Sequence, residues 1–181
     1  MEVEASGPGD SHLFESVLAE AIEAGLILEA VVAQNRREQA AFWRFRETLS
    51  EAVFAMHDTY GFDIGLPADA LPSFLTETED AMARVDPTAR PWVFGHLGDG
   101  NLHYIVTTQA PEAVGRIVYD AVARKGGALS AEHGLGREKT AWLSLFRTPA
   151  EIATMRRLKA AFDPRHILNP GRVMPPEDAP A

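Results

Sequence analysis

The chain contains no cysteine, which removes disulfide frameworks, thiolate zinc sites and iron–sulfur clusters and leaves histidines and carboxylates as candidate metal ligands. Six histidines are available. Basic residues are in deficit, 17 Lys and Arg against 26 Asp and Glu, for a formal charge of −9. Nucleic acid and anionic membranes both demand clustered cations, so neither is expected as a partner. No apolar run approaches the roughly 20 residues that span a bilayer, and Met1-Glu-Val-Glu lacks the basic-then-apolar order of a secretory signal. A cytoplasmic protein not integral to the membrane is the expectation. Nucleotide-binding glycine loops of the G-x-G-x-x-G or Walker type are missing too, as is any internal repeat. What remains is a chain of 181 residues, 46% of them hydrophobic, enough for the core of one domain.

Apolar spacing of three and four residues predicts a helix over Ser11 to Gly25, through Leu13, Phe14, Val17, Leu18, Ala21 and Ile22, with Asp10 or Ser11 as cap. Glu2 to Ser6 reads as a short strand, Leu26 to Gln34 as an apolar, β-branched one, and Asn35 to about His57 as a longer helix. A brief apolar run, Phe62 to Leu66, is closed by Pro67, and helical spacing returns over Leu71 to Val85. Trp92 to Gly95 and Leu102 to Thr107 are strand-like and flank Leu97-Gly-Asp-Gly-Asn101, where Asp-Gly predicts a two-residue hairpin turn. Further helices follow from Pro111 to near Lys125, over Thr140 to Phe146 and over Pro149 to Phe162, with a short strand at Ala128 to Ser130 between the first two. The residues from Pro175 onward are rich in Pro, Ala and acids and read as a disordered tail. Strands separated by helices, with one antiparallel hairpin, favour an α+β sheet covered on one face by helices.

The hairpin carries the first chemistry. With Asp99 and Gly100 as the turn residues, His96 faces His103 across the strands. Opposed side chains have Cβ atoms about 4.5–5.5 Å apart, close enough for both rings to hold one metal ion. Two histidines on a hairpin can equally be a packed or surface pair. The second constellation is Ser130-Ala-Glu-His-Gly-Leu-Gly136, at the end of a short apolar strand. Gly134 and Gly136 permit positive φ and close backbone approach, Glu132 could complete a site of two His and one Glu, and His133 stays free to move a proton. The same residues also fit a polar turn ahead of a helix.

Gly95-His-Leu-Gly-Asp-Gly-Asn-Leu-His103, Ser130-Ala-Glu-His-Gly-Leu-Gly136 and Phe162-Asp-Pro-Arg-His-Ile-Leu-Asn-Pro-Gly-Arg172 resemble, in order and spacing, three signatures of the FAD-linked oxidase C-terminal domain. That domain is the substrate, or cap, domain of vanillyl-alcohol-oxidase-like flavoenzymes, in the branch of D-lactate dehydrogenase, the glycolate oxidase flavin subunit and D-2-hydroxyglutarate dehydrogenase. The resemblance runs from about Glu2 to Met174, so residues 1–174 are expected to form one such domain, a ferredoxin-like antiparallel sheet covered by helices. It implies a divalent ion, zinc or manganese, held by His96, His103 and Glu132, with His133 as general base. Imidazole, which ordinarily titrates near neutrality, suits that role. Trp43-Arg-Phe-Arg-Glu47 is similar to the family's Trp-x-x-Arg-Glu helix, which implies Arg46 as the ligand of a substrate carboxylate, with Ser50 one turn later on the same face; without the resemblance this is an ordinary Arg-Glu helix surface. Asn169 of Leu168-Asn-Pro-Gly171 would neighbour the flavin, and Arg172 stands where the family commonly has Lys.

The resemblance implies an FAD-dependent dehydrogenase or oxidase of a small 2-hydroxyacid. Its FAD is held mainly by a separate N-terminal FAD-binding domain or subunit whose pyrophosphate loop has no counterpart here. The chain alone is then expected to be colourless, inactive and prone to self-association, a homodimer included. The hydroxyglutarate-type members carry Lys fifteen residues beyond the substrate Arg and Asn two residues beyond the second metal His, where this sequence has Gly61 and Ile105. A monocarboxylate substrate such as lactate or glycolate is therefore expected. Two other readings stay open: a metal-dependent hydrolase built on His96, His103 and Glu132, and a non-catalytic oligomerisation module.

Overall fold

Asp63 sits in the middle of an otherwise apolar stretch, and the strand around it is an edge of the sheet on which residues from Ser50 onward are organised. In the computed structural model, which describes residue 7, residues 9–96 and residues 98–174, the chain divides between Leu49 and Ser50 into two compact units. The first holds α1 (Asp10–Glu23) and most of α2 (Arg36–Phe54). Helix α1 follows the expected spacing but buries none of its residues, Leu13 and Val17 included. Residues 26–34, expected as a strand, form no regular element. Their apolar, β-branched composition favours extended backbone, yet a strand persists only with a partner to satisfy its N–H and C=O groups. The expected strand Glu2 to Ser6 and the tail from Pro175 lie outside the described residues.

The second unit is built on β1 (Thr59–Gly65), α3 (Leu71–Val85), β2 (Arg90–His96), β3 (Asn101–Thr107) and α4 (Pro111–Arg124), followed by α5 (Leu143–Phe146) and α6 (Pro149–Phe162). The strands form an antiparallel sheet with β3 in the centre, in the order β1-β3-β2. Beyond β1, the expected strand at Ala128 is reduced to a single antiparallel bridge with Gly65, its two hydrogen bonds measuring 2.8 and 3.1 Å. The order of elements is thus the β-α-β-β-α-β of a ferredoxin-like sheet whose last strand has shrunk to one residue.

One face of this sheet makes the core. Phe62, Ile64, Leu102, Tyr104 and Val106 pack with Phe74 and Met82 of α3 and Val114, Val118 and Val122 of α4. Tyr104 meets Phe74 edge-on at 5.3 Å, and its hydroxyl is hydrogen-bonded to Thr78 Oγ1 at 3.0 Å, which satisfies both buried polar groups. Burial pushes the Tyr104 phenol up to about 12, so it stays protonated throughout the neutral range. Helix α6 begins where its sequence says it should. Thr148 Oγ1 accepts from the Glu151 N–H while the Glu151 carboxylate accepts from the Thr148 N–H, and Pro149 follows the cap.

Asp86 ends α3 and ties it to the end of β3. Its carboxylate accepts from Thr108 Oγ1 at 2.6 Å, Thr88 Oγ1 at 2.6 Å and the Gln109 N–H at 2.9 Å. These donors, Thr108 foremost, hold its pKa well below the usual carboxylate range. A depressed folded-state pKa gives stability that is present above the unfolded value near 4 and lost as pH falls towards the folded one. Asp86→Asn should therefore lower Tm at pH 7 by on the order of 5 °C and flatten the fall of Tm on acidification. Thermal melts from pH 7 to pH 2 check this; parallel curves for parent and variant would show that Asp86 does not drive acid unfolding.

Candidate metal and proton-transfer site

The opposite face of the sheet carries the polar residues. Strand alternation puts Asp63, Phe94, His96, Asn101, His103 and Ile105 on this side, because the core-facing partners are their immediate neighbours. The hairpin register differs from the expected one. Phe94 pairs with His103 and His96 with Asn101, so four residues, not two, close the turn. His96 and His103 still share a face, but as diagonal neighbours, for which Cα separations of about 7–8 Å are usual. The turn widens for two reasons. Asp99 Oδ1 accepts the Asn101 N–H at 2.9 Å, and the Gly100 carbonyl accepts the Leu66 N–H at 2.9 Å from beyond β1. Gly100 has φ +71° and stands against the Leu66 carbonyl, where a Cβ would collide.

Asp63 is the residue that sequence reasoning missed. It pairs with His103 across β1 and β3 and is only 6% exposed. Its Oδ2 accepts from Ser130 Oγ at 2.8 Å, the His133 N–H at 3.0 Å, the Glu132 N–H at 3.2 Å and Lys139 Nζ at 3.4 Å. Lys139 Nζ also donates to the Asp63 carbonyl at 2.8 Å. Burial raises the carboxyl pKa, but these hydrogen bonds and the Lys139 charge outweigh it and hold Asp63 well below the usual carboxylate range. The same burial lowers the Lys139 pKa, opposed by the Asp63 charge. The available signal was a lone carboxylate inside an apolar strand, since a buried Asp must find donors.

Through these bonds the Glu132-His133 segment is fastened to the sheet. Gly134 and Gly136 both take positive φ, +72° and +55°. Ligand atoms of Asp63, Glu132 and His133 all lie within 4.8 Å of one another. His103 adjoins them: its ring stacks on that of His133 with centroids 5.8 Å apart, and its Nδ1 is 4.0 Å from Asp63 Oδ1. That Oδ1 is buried and accepts no hydrogen bond. The donor set is hard oxygen and imidazole nitrogen, which fits zinc or manganese. His96 stands at the end of β2, exposed, on the same face but outside that tight group.

The remaining expected residues fall elsewhere. Arg46 belongs to the first unit, on α2, with its guanidinium 5.5 Å from the Trp43 ring centroid. Ser50 lies on the same helix, its side chain outside the described part. Asn169, at φ +47°, lines a cleft with Met155, Leu158, Leu168, Arg172 and Met174. Asp163 shapes the turn before it, accepting the N–H groups of Ile167 and Leu168 at 3.0 and 2.9 Å. The Val173 N–H donates to the Gly136 carbonyl at 2.9 Å, which ties this turn to the Glu-His loop. Gly61 pairs with Ile105 on the site face, and a Cβ on Gly61 would touch the Phe54 ring at 3.3 Å.

A split β-α-β sheet with one face under helices and the other bearing a His and carboxylate cluster defines an α+β cap domain. The chain belongs to the family of FAD linked oxidases, C-terminal domain, whose pattern matches residues 1–173. It is 36% identical over 182 residues to the mitochondrial D-2-hydroxyglutarate dehydrogenase of Bos taurus, covering 97% of this chain and 33% of that protein. It is 37% identical over 169 residues to the D-2-hydroxyglutarate dehydrogenase of Xanthomonas citri pv. viticola, covering 88% and 36%. With the D-2-hydroxyglutarate dehydrogenase of Stutzerimonas stutzeri, the identity is 33% over 186 residues, covering 96% and 39%. The chain thus spans about a third of the length of these relatives. Among the described residues no helix is long and apolar enough to cross a membrane.

Proposed function

We propose that this chain is the substrate-side domain of an FAD-dependent 2-hydroxyacid dehydrogenase, with His96, His103 and Glu132 as ligands of a divalent ion and His133 as general base. The observation that carries the reading is the gathering of Glu132, His133 and His103 around the buried carboxylate of Asp63. When bound, the ion would supply Lewis acidity to the substrate's 2-hydroxyl, and FAD, held mainly by a partner domain or subunit, would supply the acceptor for the C2 hydride. His133 takes the hydroxyl proton at a ring nitrogen as the C2–O double bond forms, and its largely exposed side chain can return that proton to water. Arg46 carries the guanidinium that the family resemblance implies for the substrate carboxylate, a group able to offer two parallel N–H donors. Asn169, on its positive-φ turn, would neighbour the flavin.

The relatives act on D-2-hydroxyglutarate by name, whereas the reading proposed here is a monocarboxylate such as lactate or glycolate. The support is the Gly61, Ile105 and Phe54 group on the site face, which offers no cation or amide to a second carboxylate, and a desolvated carboxylate left unpaired is costly. The test has two parts. Calorimetric titration of zinc and of manganese should show binding to the parent that weakens by roughly 100-fold in His103→Ala, as loss of a direct ligand requires; equal affinities would refute the metal site. Reunited with an FAD-binding domain, the chain should turn over D-lactate more efficiently than D-2-hydroxyglutarate, and the reverse order would refute the substrate class alone.

A further inference from the structure

The two oxygens of Asp63 live in different surroundings. Oδ2 takes four donors and fastens the Glu132-His133 segment, whereas Oδ1 is buried without one. A buried carboxylate oxygen with no donor is costly. Across the β1–β3 pair, His103 Nδ1 lies 4.0 Å from this oxygen, and its ring neighbours those of Phe94, 5.3 Å away, and His133, 5.8 Å away. A closing movement of about 1 Å brings Nδ1 within hydrogen-bond reach. The ring nitrogen left over is Nε2.

We propose that Asp63 is the positioning residue of the site: Oδ1 accepts the Nδ1–H of His103, fixes that tautomer and leaves Nε2 as the ligating nitrogen. Imidazole carries one N–H when neutral, so whichever nitrogen faces an acceptor keeps it and the other keeps the lone pair. The division of labour between Oδ1 and Oδ2 lets one carboxylate place both halves of the site, the β3 histidine and the Glu-His loop. Metal-bound histidines commonly rely on such an outer carboxylate. This rests on the reading of His103 as a metal ligand, but the tautomer itself does not.

Asp63→Asn separates the two tasks. The donors around Oδ2 require an acceptor, so the amide oxygen takes that place and the NH2 group turns toward His103. Facing a donor, Nδ1 must accept, the proton moves to Nε2 and the ligating lone pair is lost. The experiment is long-range proton–nitrogen NMR of the histidine rings in the full metal-free chain at pH 8, with the His103 signals assigned against His103→Ala. The parent should show the Nδ1–H tautomer and Asp63→Asn the Nε2–H tautomer, and zinc affinity by calorimetry should fall about 10–100-fold in that variant. An Nε2–H tautomer in the parent overturns the proposal, as does an unchanged tautomer or an unchanged zinc affinity in Asp63→Asn. Should Asp63→Asn fail to fold, the parent's tautomer decides. Should His103→Ala bind zinc as tightly as the parent, the metal reading fails while the parent and Asp63→Asn tautomers still judge the role of Asp63.

Discussion

His133→Ala, in the chain reunited with an FAD-binding domain, is expected to lower kcat by about 10²–10⁴-fold, the range in which a positioned general base contributes. The variant is well suited to isolating chemistry from structure. What anchors the loop is the His133 backbone N–H, which donates to Asp63 Oδ2 at 3.0 Å and survives the substitution. The ring is 67% exposed, so its removal leaves no sizeable cavity. KM and zinc affinity should change little, and the lost activity should be partly restored by added imidazole. A fall in zinc affinity to match the fall in kcat would instead make His133 a ligand, with Asp63 and Glu132 of its 4.8 Å group. An unchanged kcat would remove it from proton transfer altogether.

The largest expected effect on stability comes from Gly100→Ala. Left-handed backbone costs an L-residue about 1–2 kcal/mol, and here, at φ +71°, the added methyl also collides with the Leu66 carbonyl. Relief requires the hairpin to back away from β1, which breaks the 2.9 Å bond from the Leu66 N–H to the Gly100 carbonyl. With overpacking of about 1–3 kcal/mol added, the loss is a large part of the roughly 5–15 kcal/mol that hold a domain together. Gly98→Ala is the internal control: its Cβ would meet nothing within 4 Å, so its effect should stay within about 0.5 kcal/mol. Urea unfolding of the two variants checks the contrast, and equal midpoints would show that the Leu66 contact does not constrain the turn.

How much of this could be read in the sequence depended on whether the deciding contact was local. Helices α3 and α6 cover the residues expected of them, Leu71 to Val85 and Pro149 to Phe162, because the signals that set them act within a turn or two. The hairpin was recognisable, but its closure was not. Asp-Gly predicts a two-residue turn, and what selects a four-residue one includes a bond to Leu66, more than thirty positions away in sequence. Residues 26–34 fail as a strand for the converse reason, since composition can propose extended backbone but cannot supply the neighbour. For the site, Glu132, His133 and His103 were visible as residue types flanked by glycine or placed on a hairpin. Asp63 was hidden inside a run read as apolar, and only the register that sets it opposite His103 reveals what it does.

The shortened last strand has a dynamic corollary. In a continuing strand, successive N–H groups point to opposite edges, so Glu132 and His133 could not both donate to one oxygen. Because the bridge ends at Gly65 and Ala128, with only a long 3.4 Å bond from the Ala131 N–H to the Asp63 carbonyl beyond it, they do, and Glu132 and His133 are pinned by a single carboxylate. Few backbone bonds must break for this segment to lift, so it belongs to the low-stability end of the molecule's opening spectrum. The two residues should then leave and return together. In hydrogen–deuterium exchange their amides would show one shared protection factor, well below that of β3, and an added metal ion would raise both by the same amount.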